Sequence, residues 1–259
     1  MDDERPTPVR ETYDRIAEHF AATREYPWPE VTAFLGGGAA SDAGAEDGAA
    51  EGDGAAADVP AVLVDGARRA LDGRRGDSGE SERVGFDLGC GNGRHAESLS
   101  AVVERVVGVD ASGGLLRTAR ERSSERGFAD SLELVRGDAA SLPLRADGVD
   151  VAVYVATLHH LRTRERRVAS LSELARVLAP GGRALVSAWS TAHERFDETA
   201  GFDTTVAWTL PGGERVPRFY HIYDPEEFEA DLAASDLDVV AHAVSSGNCY
   251  AVVGASEGQ

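Results

Sequence analysis

Two periodicities of apolar residues alternate along the chain from residue 84 onward. Short runs rich in β-branched residues, typical of buried strands, occupy 84–89, 105–110, 132–137, 149–156 and 183–189. Stretches with helical spacing lie between them, at 93–101, 112–126 and 163–178. Because strands that alternate with helices form parallel sheets covered on both faces, the pattern predicts an α/β protein with a Rossmann-like, doubly wound sheet.

The two ends of the chain add further elements. Apolar residues of segment 13–20 follow i, i+3, i+4, i+7 spacing, which predicts an amphipathic helix. Near the other end, a helical stretch at 224–235 precedes two strand-like runs, 237–244 and 248–253, joined by a short connection. These runs predict an antiparallel pair that closes one edge, giving a seven-stranded, mostly parallel sheet with an antiparallel C-terminal strand.

One segment departs from this alternation. Residues 36–58 contain only Gly, Ala, Ser, Asp and Glu, and residues 72–83 are also polar. Such segments bury too little apolar surface to offset the entropy of ordering. The stretch between them, 59–71, could form a short helix. We therefore expect one domain over 1–259, interrupted by a mostly mobile insertion at about 36–82.

The charge of the chain is strongly negative. It has 45 acidic and 26 basic residues, a net charge of −19, and every basic residue is Arg. This is typical of a salt-rich, halophilic cytoplasm, where screening weakens self-repulsion; GC-rich codon usage is the alternative explanation. An acidic surface argues against DNA binding, so any RNA contact requires a local cluster of Arg.

Several protein classes are excluded by composition. No apolar run approaches the ~18 residues of a membrane span, and the N-terminal sequence MDDERPTPVR lacks the apolar region of a secretory signal. Two cysteines, Cys90 and Cys249, are too few for a disulfide framework or a zinc-finger ligand set. The chain is expected to be cytoplasmic, without a membrane segment or a bound metal.

A glycine-rich loop follows the first strand. It contains Asp87, Gly89, Gly91, Asn92 and Gly93, and a helix comes directly after it. Glycines allow the backbone to approach a ligand, and the start of a helix offers free N–H groups.

Acidic residues end the next two strands. Asp110 is placed to accept the two hydroxyls of a ribose, and Asp138 is placed to accept the exocyclic amine of adenine. Ala139 and Val155 complete the candidate cofactor set. A dinucleotide site is the rival interpretation, but that fingerprint requires Gly where this chain has Arg94 or Ala96. The loop instead resembles the S-adenosylmethionine loop of class I methyltransferases.

Longer segments resemble one group of these enzymes. They are YDRIAEHFAATREYPWPEVTAFL, VATLHHL, RRVASLSELARVLAPGGRALVSAW and RFYHIYDPEEFEADL. The second half of the third is common to many class I methyltransferases, whereas TREYPWP and RFYHIYDPEE are more specific. They are similar to eukaryotic-type tRNA methyltransferases that esterify 5-carboxymethyluridine at the wobble position.

The resemblance implies a set of substrate-side residues, which are Arg24, Trp28, His160, Arg218, His221 and Asn248. Members of the family usually have Trp after the last of these, where this chain has Cys249. The local alternatives are a helix-end ion pair for Arg24, core packing for Trp28, a structural histidine for His160 and a strand cap for Asn248. For Arg218 and His221 the alternative is an internal hydrogen-bond pair of their loop. The nucleophile would be the carboxylate of the substrate, which is ionised at neutral pH, so the chemistry requires alignment rather than a general base.

Two further surfaces are predicted. Arg162, Arg164, Arg166 and Arg167 form a local basic run that could contact tRNA phosphates; a solvated helix face is the alternative. The family also implies a heterodimer with a small zinc-binding activator protein at the edge of the third strand. That edge would present Leu132, Leu134 and Val135, or simply be a short strand flanked by charges.

Three functions follow from these features. The first is a tRNA wobble-uridine carboxyl methyltransferase that uses S-adenosylmethionine. The second is a small-molecule methyltransferase that acts on a quinone precursor or a carboxylic acid. The third is a cofactor-binding scaffold subunit without catalysis, which the intact loop disfavours.

Overall fold

A computed structural model describes residues 8–36, 59–72 and 82–256. Nine strands are present within these ranges: β1 Val84–Leu88, β2 Arg105–Asp110, β3 Leu132–Arg136, β4 Val149–Tyr154, β5 Leu178–Trp189, β6 Phe202–Thr209, β7 Arg215–Ile222, β8 Leu237–Ser245 and β9 Asn248–Ala255. Seven helices accompany them: α1 Val9–Ala22, α2 Pro29–Phe34, α3 Gly66–Asp72, α4 Arg94–Ser100, α5 Gly113–Arg126, α6 Arg164–Val177 and α7 Pro225–Ala233.

The main sheet has seven strands in the order β3-β2-β1-β4-β5-β9-β8. Strands β1 to β5 pair in parallel, and β9 is antiparallel to both of its neighbours, β5 and β8. The predicted fold class is therefore confirmed, including the antiparallel pair at one edge. The order reverses between β1 and β4, so the carboxyl ends of these strands open a crevice, the usual ligand position in doubly wound sheets.

Side chains of the central strands alternate between two cores because successive residues of a strand face opposite sides. Ala152 and Tyr154 join the core that α6 and α7 cover, whereas Val151 and Val153 join the core that α2, α3 and α4 cover. All four side chains are fully buried, as expected for a parallel sheet covered on both faces.

Residues 59–72 differ from the expectation of a solvated insertion. Leu63 and Ala67 are fully buried in the second core. A Cβ at Gly66 would lie 2.8 Å from the ring of Phe34, so α3 packs directly on α2. This segment therefore covers the sheet. The predicted insertion otherwise falls on 37–58 and 73–81, which lie outside the described residues.

The hairpin formed by β6 and β7 was not predicted from the sequence. It lies between β5 and α7 in the chain, and the two strands pair antiparallel. Trp208 and Val216 pack against Ile16 of α1, so the hairpin and α1 together cover the open end of the sheet. In the described part of the chain, no helix is long and apolar enough to cross a membrane.

Candidate functional site

A cavity of ≈730 Å³ opens at the carboxyl ends of β1, β2, β3 and β4. The glycine loop forms one wall, and α1 contributes Tyr13 and Phe20 to another. Of the nine predicted cofactor residues, Asp87 and Gly93 lie outside the lining of this cavity. The other seven line it: Gly89, Gly91, Asn92, Asp110, Asp138, Ala139 and Val155.

The glycines of the loop serve different purposes. Gly89 has a φ of +75°, and a Cβ there would lie 2.1 Å from Thr157 Oγ1, so the absence of a side chain lets Thr157 pack against the loop backbone. Gly91 has a φ of +53° and faces open space, because its nearest neighbour would be Phe20 at 3.8 Å. Gly93 was predicted to contact the cofactor, but it lies against Ala119 of α5 and is a packing position.

Asp110 fastens the loop to the end of β2. Its Oδ2 accepts a hydrogen bond from Gly91 N at 2.9 Å, and its Oδ1 accepts one from Ser112 N at 2.8 Å. Burial raises the pKa of this carboxyl, and the two N–H donors oppose that rise. Each carboxylate oxygen accepts more than one hydrogen bond, so Asp110 retains capacity for ribose hydroxyls.

Asp138 is held by an arginine that was predicted to contact RNA. Arg166 Nη2 lies 2.7 Å from both carboxylate oxygens of Asp138. Burial acts to raise the pKa of Asp138, but the hydrogen bond from Arg166, the N–H of Ala140 and the charge of Arg166 together outweigh it, and the pKa is lowered. Both side chains are about half exposed and both line the cavity. The pair presents an acceptor and a donor to whatever occupies the adenine end.

Asn92 was predicted to bind the cofactor, but its amide has structural partners. Nδ2 donates to the carbonyl oxygen of Arg24 at 2.7 Å and lies 3.5 Å from that of Ala21. The side chain therefore ties the glycine loop to the turn after α1, although the residue lines the cavity.

Asp87 lies in the interior at the end of β1. Burial, followed by the negative charge of Asp110, raises its pKa to about 7. Its Oδ2 has no hydrogen-bond partner among the described residues. Arg94, which the sequence analysis did not propose, lines the cavity nearby. Burial and the proximity of Arg24 lower the pKa of Arg94 to about 10. Arg94 follows the glycine loop directly in the sequence, and this position could have identified it as a cavity residue.

These residues fit S-adenosylmethionine. A buried carboxylate oxygen without a partner suits the ammonium group of the methionine end, and a cation in the cavity suits its carboxylate. Asp110 suits the ribose, and the Asp138 carboxylate suits the exocyclic amine of adenine.

The substrate side is built around His160. Its Nδ1 lies 2.9 Å from the carbonyl oxygen of Phe219, so Nδ1 carries the proton and donates it. Its Nε2 therefore accepts from the Tyr13 hydroxyl at 2.8 Å. Burial lowers the pKa of His160 to about 3, which keeps the ring neutral. His159 beside it accepts from Trp189 N and stacks on Tyr220, so it is a packing residue.

Arg24 and Arg218 converge on one indole. Their guanidinium carbons lie 5.1 and 4.9 Å from the ring centroid of Trp208. Trp208 contacts Phe20 of the cavity wall, with ring centroids 5.5 Å apart. The fold thus brings together two arginines that are distant in the sequence. Both lie over Trp208, which in turn contacts Phe20 of the cavity wall. The sequence analysis missed Trp208 because it lies in the unpredicted hairpin.

Three other residues predicted for the substrate side have internal partners; like Arg24 and Arg218, they do not line the cavity. His221 is held between Asp203 at 2.8 Å and Glu227 at 2.9 Å. Asn248 is buried at the start of β9 and donates to Ser246 O. Trp28 packs on Tyr250 in the second core.

The basic run of α6 is divided by the structure. Arg167 is buried and pairs with Glu227 and Asp231, so it cannot contact RNA. Arg164 donates through Nε to the fully buried Asp231 at 2.6 Å. Arg162, in contrast, is exposed, lines the cavity and stacks over Phe219 at 4.5 Å.

The predicted partner surface lies at an edge of the main sheet. Among the described strands, β3 has only β2 as a neighbour. Leu132, Leu134 and Val135 are half-buried there, and Glu133 is exposed and paired with Arg105. The described residues contain no cluster of three or more His, Cys, Asp or Glu that could hold a metal ion.

Sequence comparisons identify related methyltransferases. A family model for a methyltransferase domain matches residues 86–186. The putative methyltransferase ECU09_1500 of Encephalitozoon cuniculi is 33% identical over 178 residues, which cover 66% of this chain and 78% of that protein.

Other relatives are longer. A tRNA (carboxymethyluridine(34)-5-O)-methyltransferase of Saccharomyces cerevisiae is 28% identical over 81% of this chain and 59% of its own length. The enzyme of that name from Macaca fascicularis, ALKBH8, is 30% identical over 72% of this chain but only 20% of its own length. This chain thus spans about a fifth of the animal relative.

Among solved structures, a putative methyltransferase of Haloferax volcanii, in complex with the Trm112 methyltransferase activator, superposes with a TM-score of 0.56 at 16% identity, covering 97% of this chain and 99% of that one. At that identity the likeness shows the fold. The topology, the loop with its acidic residues and the sequence relatives together show that the chain belongs to the class I S-adenosylmethionine-dependent methyltransferases.

Proposed function

We propose that this methyltransferase acts on tRNA and esterifies the carboxylate of 5-carboxymethyluridine at the wobble position. The names of the relatives support tRNA as the substrate. The observation that carries the carboxylate is the convergence of Arg24 and Arg218 on Trp208, behind the cavity wall. Guanidinium groups are the preferred partners of carboxylates in proteins.

S-adenosylmethionine, when bound, supplies a methyl group on a sulfonium. The residues of the chain have three tasks around it. Arg24 and Arg218 orient the carboxylate. Tyr13 and Phe20 exclude water from one side of the cavity. The ring of His160 is fixed in one tautomer by Phe219 O and Tyr13, so it holds the wall in place rather than removing a proton. Alignment of this kind contributes on the order of 7–11 kcal/mol at best.

A small aromatic acceptor is the second candidate. The aromatic rings of Tyr13 and Phe20 on the cavity wall would also accept a flat ring such as that of a quinone precursor. Such an acceptor has no carboxylate for Arg24 to bind, so the dependence of the methylation rate on Arg24 separates the two candidates.

We also propose that the edge of β3 pairs with a small zinc-binding activator protein. The half-buried side chains of Leu132, Leu134 and Val135 on an unpaired edge support this, because such an edge favours strand addition. The Haloferax volcanii neighbour is described in complex with an activator. An isolated chain that is stable and fully active would contradict the proposal.

The test is nucleoside mass spectrometry on tRNA that lacks the ester. Purified chain and cofactor are added, with and without the activator, and conversion of 5-carboxymethyluridine to its methyl ester is measured. Arg24→Ala and Arg218→Ala should each lower the rate by about 10- to 100-fold, the contribution of one charge-assisted hydrogen bond.

Two controls keep this result interpretable. Arg195 lies over Trp189, away from the cavity lining, so Arg195→Ala should leave the rate within about twofold. Arg218 is buried, so Arg218→Lys and a cofactor-binding assay separate misfolding from loss of substrate. If wild type forms no ester while it binds cofactor, the acceptor is a small molecule.

A further inference from the structure

The cavity carries a charge opposite to that of the chain. Among the described residues, its lining includes five arginines, Arg10, Arg94, Arg136, Arg162 and Arg166, and only two carboxylates, Asp110 and Asp138. The whole chain has a net charge of −19. A local excess of positive charge in such a chain requires its own explanation.

Four of the five arginines surround the opening of the cavity. Arg94 is half-buried, whereas the others are exposed; we call Arg10, Arg136, Arg162 and Arg166 the arginine rim. They come from separate elements: α1, the end of β3, the loop after β4 and the first turn of α6. Segments distant in sequence thus place cations around one opening.

The contacts of Arg10, Arg136 and Arg166 leave N–H donors available for a ligand. Arg136 donates through Nε to the carbonyl oxygen of Ala111 at 3.0 Å, and Arg166 donates through Nη2 to Asp138. Arg10 lies 3.9 Å from Glu11, at the limit of an ion pair. A guanidinium has five N–H donors, so each of these side chains can still bind an anion bidentately.

The cofactor does not account for this charge. S-adenosylmethionine carries a sulfonium, so additional cations around it are unfavourable. The rim is suited to a second ligand that is anionic and large enough to reach several arginines. A single carboxylate would need one or two of them, whereas a nucleic-acid strand places a phosphate beside each nucleotide.

We infer that the arginine rim binds phosphodiester groups of the RNA strand on either side of the nucleotide that enters the cavity. The inference rests on the proposed function. It replaces the contiguous run of α6 with a surface assembled by the fold, since Arg164 and Arg167 pair with the buried Asp231, and Arg10 and Arg136 take their place. The four arginines give the opening a local positive charge, whereas the chain as a whole is acidic, so RNA that approaches elsewhere meets a net repulsion.

The test is the salt dependence of RNA binding. Fluorescence anisotropy of a labelled anticodon stem-loop is measured over a range of KCl concentrations with wild type, Arg10→Ala and Arg162→Ala. Each variant should reduce the slope of log K against log salt by about 0.7–0.9, the value for one lost phosphate contact. Arg10→Lys, which keeps the charge, should retain the slope. Arg117 of α5 is equally exposed and pairs with Glu18, so Arg117→Ala is the matched control and should not change it.

The outcomes are distinguishable from those of the proposed function. Unchanged slopes in both Ala variants would overturn the rim, even if wild type forms the ester. Changed slopes with no ester formed would support the rim and overturn the proposed reaction. Cofactor affinity, measured by equilibrium dialysis, should differ by less than about twofold in Arg10→Ala, since the side chain of Arg10 is exposed at the opening and the substitution changes only the surface. A large fall would show that the residue serves the cofactor and would also overturn the inference.

Discussion

Asp87 and Asp110 end neighbouring strands, but their surroundings differ. Asp110 accepts two backbone hydrogen bonds, whereas Asp87 Oδ2 has no partner among the described residues. Because the pKa of Asp87 is raised to about 7, the carboxyl is mostly protonated below neutrality. Binding of a cofactor ammonium requires the ionised form, so binding releases a proton.

Cofactor affinity should therefore rise with pH up to about 7, by at most about tenfold per unit, and then level off. Calorimetry from mildly acidic to neutral pH measures this. Asp87→Asn should bind more weakly and lose the slope. Asp110→Asn removes a neighbouring charge that raises the pKa of Asp87, so the point of levelling should move to lower pH. A wild-type affinity that is independent of pH would contradict the assignment of Asp87.

Gly89 and Gly91 form a matched pair for a second prediction. Both have positive φ, so an Ala at either costs about 1–2 kcal/mol in backbone strain. At Gly89 the new Cβ also overlaps Thr157, and such overpacking adds about 1–3 kcal/mol. Chemical denaturation should show the larger loss of stability for Gly89→Ala. Equal losses would mean that Thr157 moves aside freely.

More of the predicted cofactor residues than of the predicted substrate residues line the cavity, and this difference has a physical reason. A glycine before a helix or an acid at a strand end is placed by the local chain alone. The partners of Asn92, Arg167 and His221 come from distant segments, so nothing in their neighbourhood showed that their polar atoms were already satisfied.

At the scale of elements, α6, α7 and the hairpin are joined by buried charges. Asp231 of α7 is fully buried and contacts Arg164, Arg167 and the hydroxyl of Tyr223. Glu227, one turn before it, contacts both Arg167 and His221 of β7. The position of the hairpin therefore depends on α7.

Asp231→Ala should lower the free energy of unfolding by about 3–5 kcal/mol, because it leaves Arg167 buried beside a single carboxylate. Glu214, the exposed partner of Arg15, provides the control, and Glu214→Ala should cost less than about 1 kcal/mol. Urea denaturation followed by circular dichroism measures both. Similar losses would show that the buried network contributes no more than a surface pair.

The sequence predicted all seven strands of the main sheet, since each has a clear run of apolar residues. The hairpin was missed although its signals are present: residues alternate along 202–209 and 215–222, and Gly212 and Gly213 lie between them with positive φ. Its exposed positions carry polar residues, so the two strands lack the continuous apolar runs that mark the buried strands. A short helix was predicted within 59–71, but it was assigned to a mostly mobile insertion because both flanks are polar, so its packing on the sheet was missed.

At the scale of the whole molecule, the excess of acidic residues predicts a response to salt. A net charge of −19 destabilises the compact state by self-repulsion. The Debye length falls from ~10 Å at about 0.1 M to ~3 Å at about 1 M, so salt removes most of this repulsion.

The midpoint of thermal unfolding should therefore rise between these KCl concentrations. Calorimetry with the buffer held constant measures it, and glycerol in place of KCl is the control for an effect unrelated to charge. A midpoint that is insensitive to KCl would show that the acidic residues do not destabilise the fold at low salt.

The contacts that α1 and α2 make with distant parts of the chain have a consequence for folding. Tyr13 meets His160 across 147 residues, His19 meets Trp208 across 189, and Glu30 meets Ser245 across 215. Contacts that close such long loops form late, after local ones have made the chain compact. We expect amide hydrogens of β1, β2 and β4 to exchange slowly, and those of α1 and the hairpin to exchange by partial opening. The chain would then pass through a state that already has its nucleotide-binding sheet but does not yet have a substrate pocket.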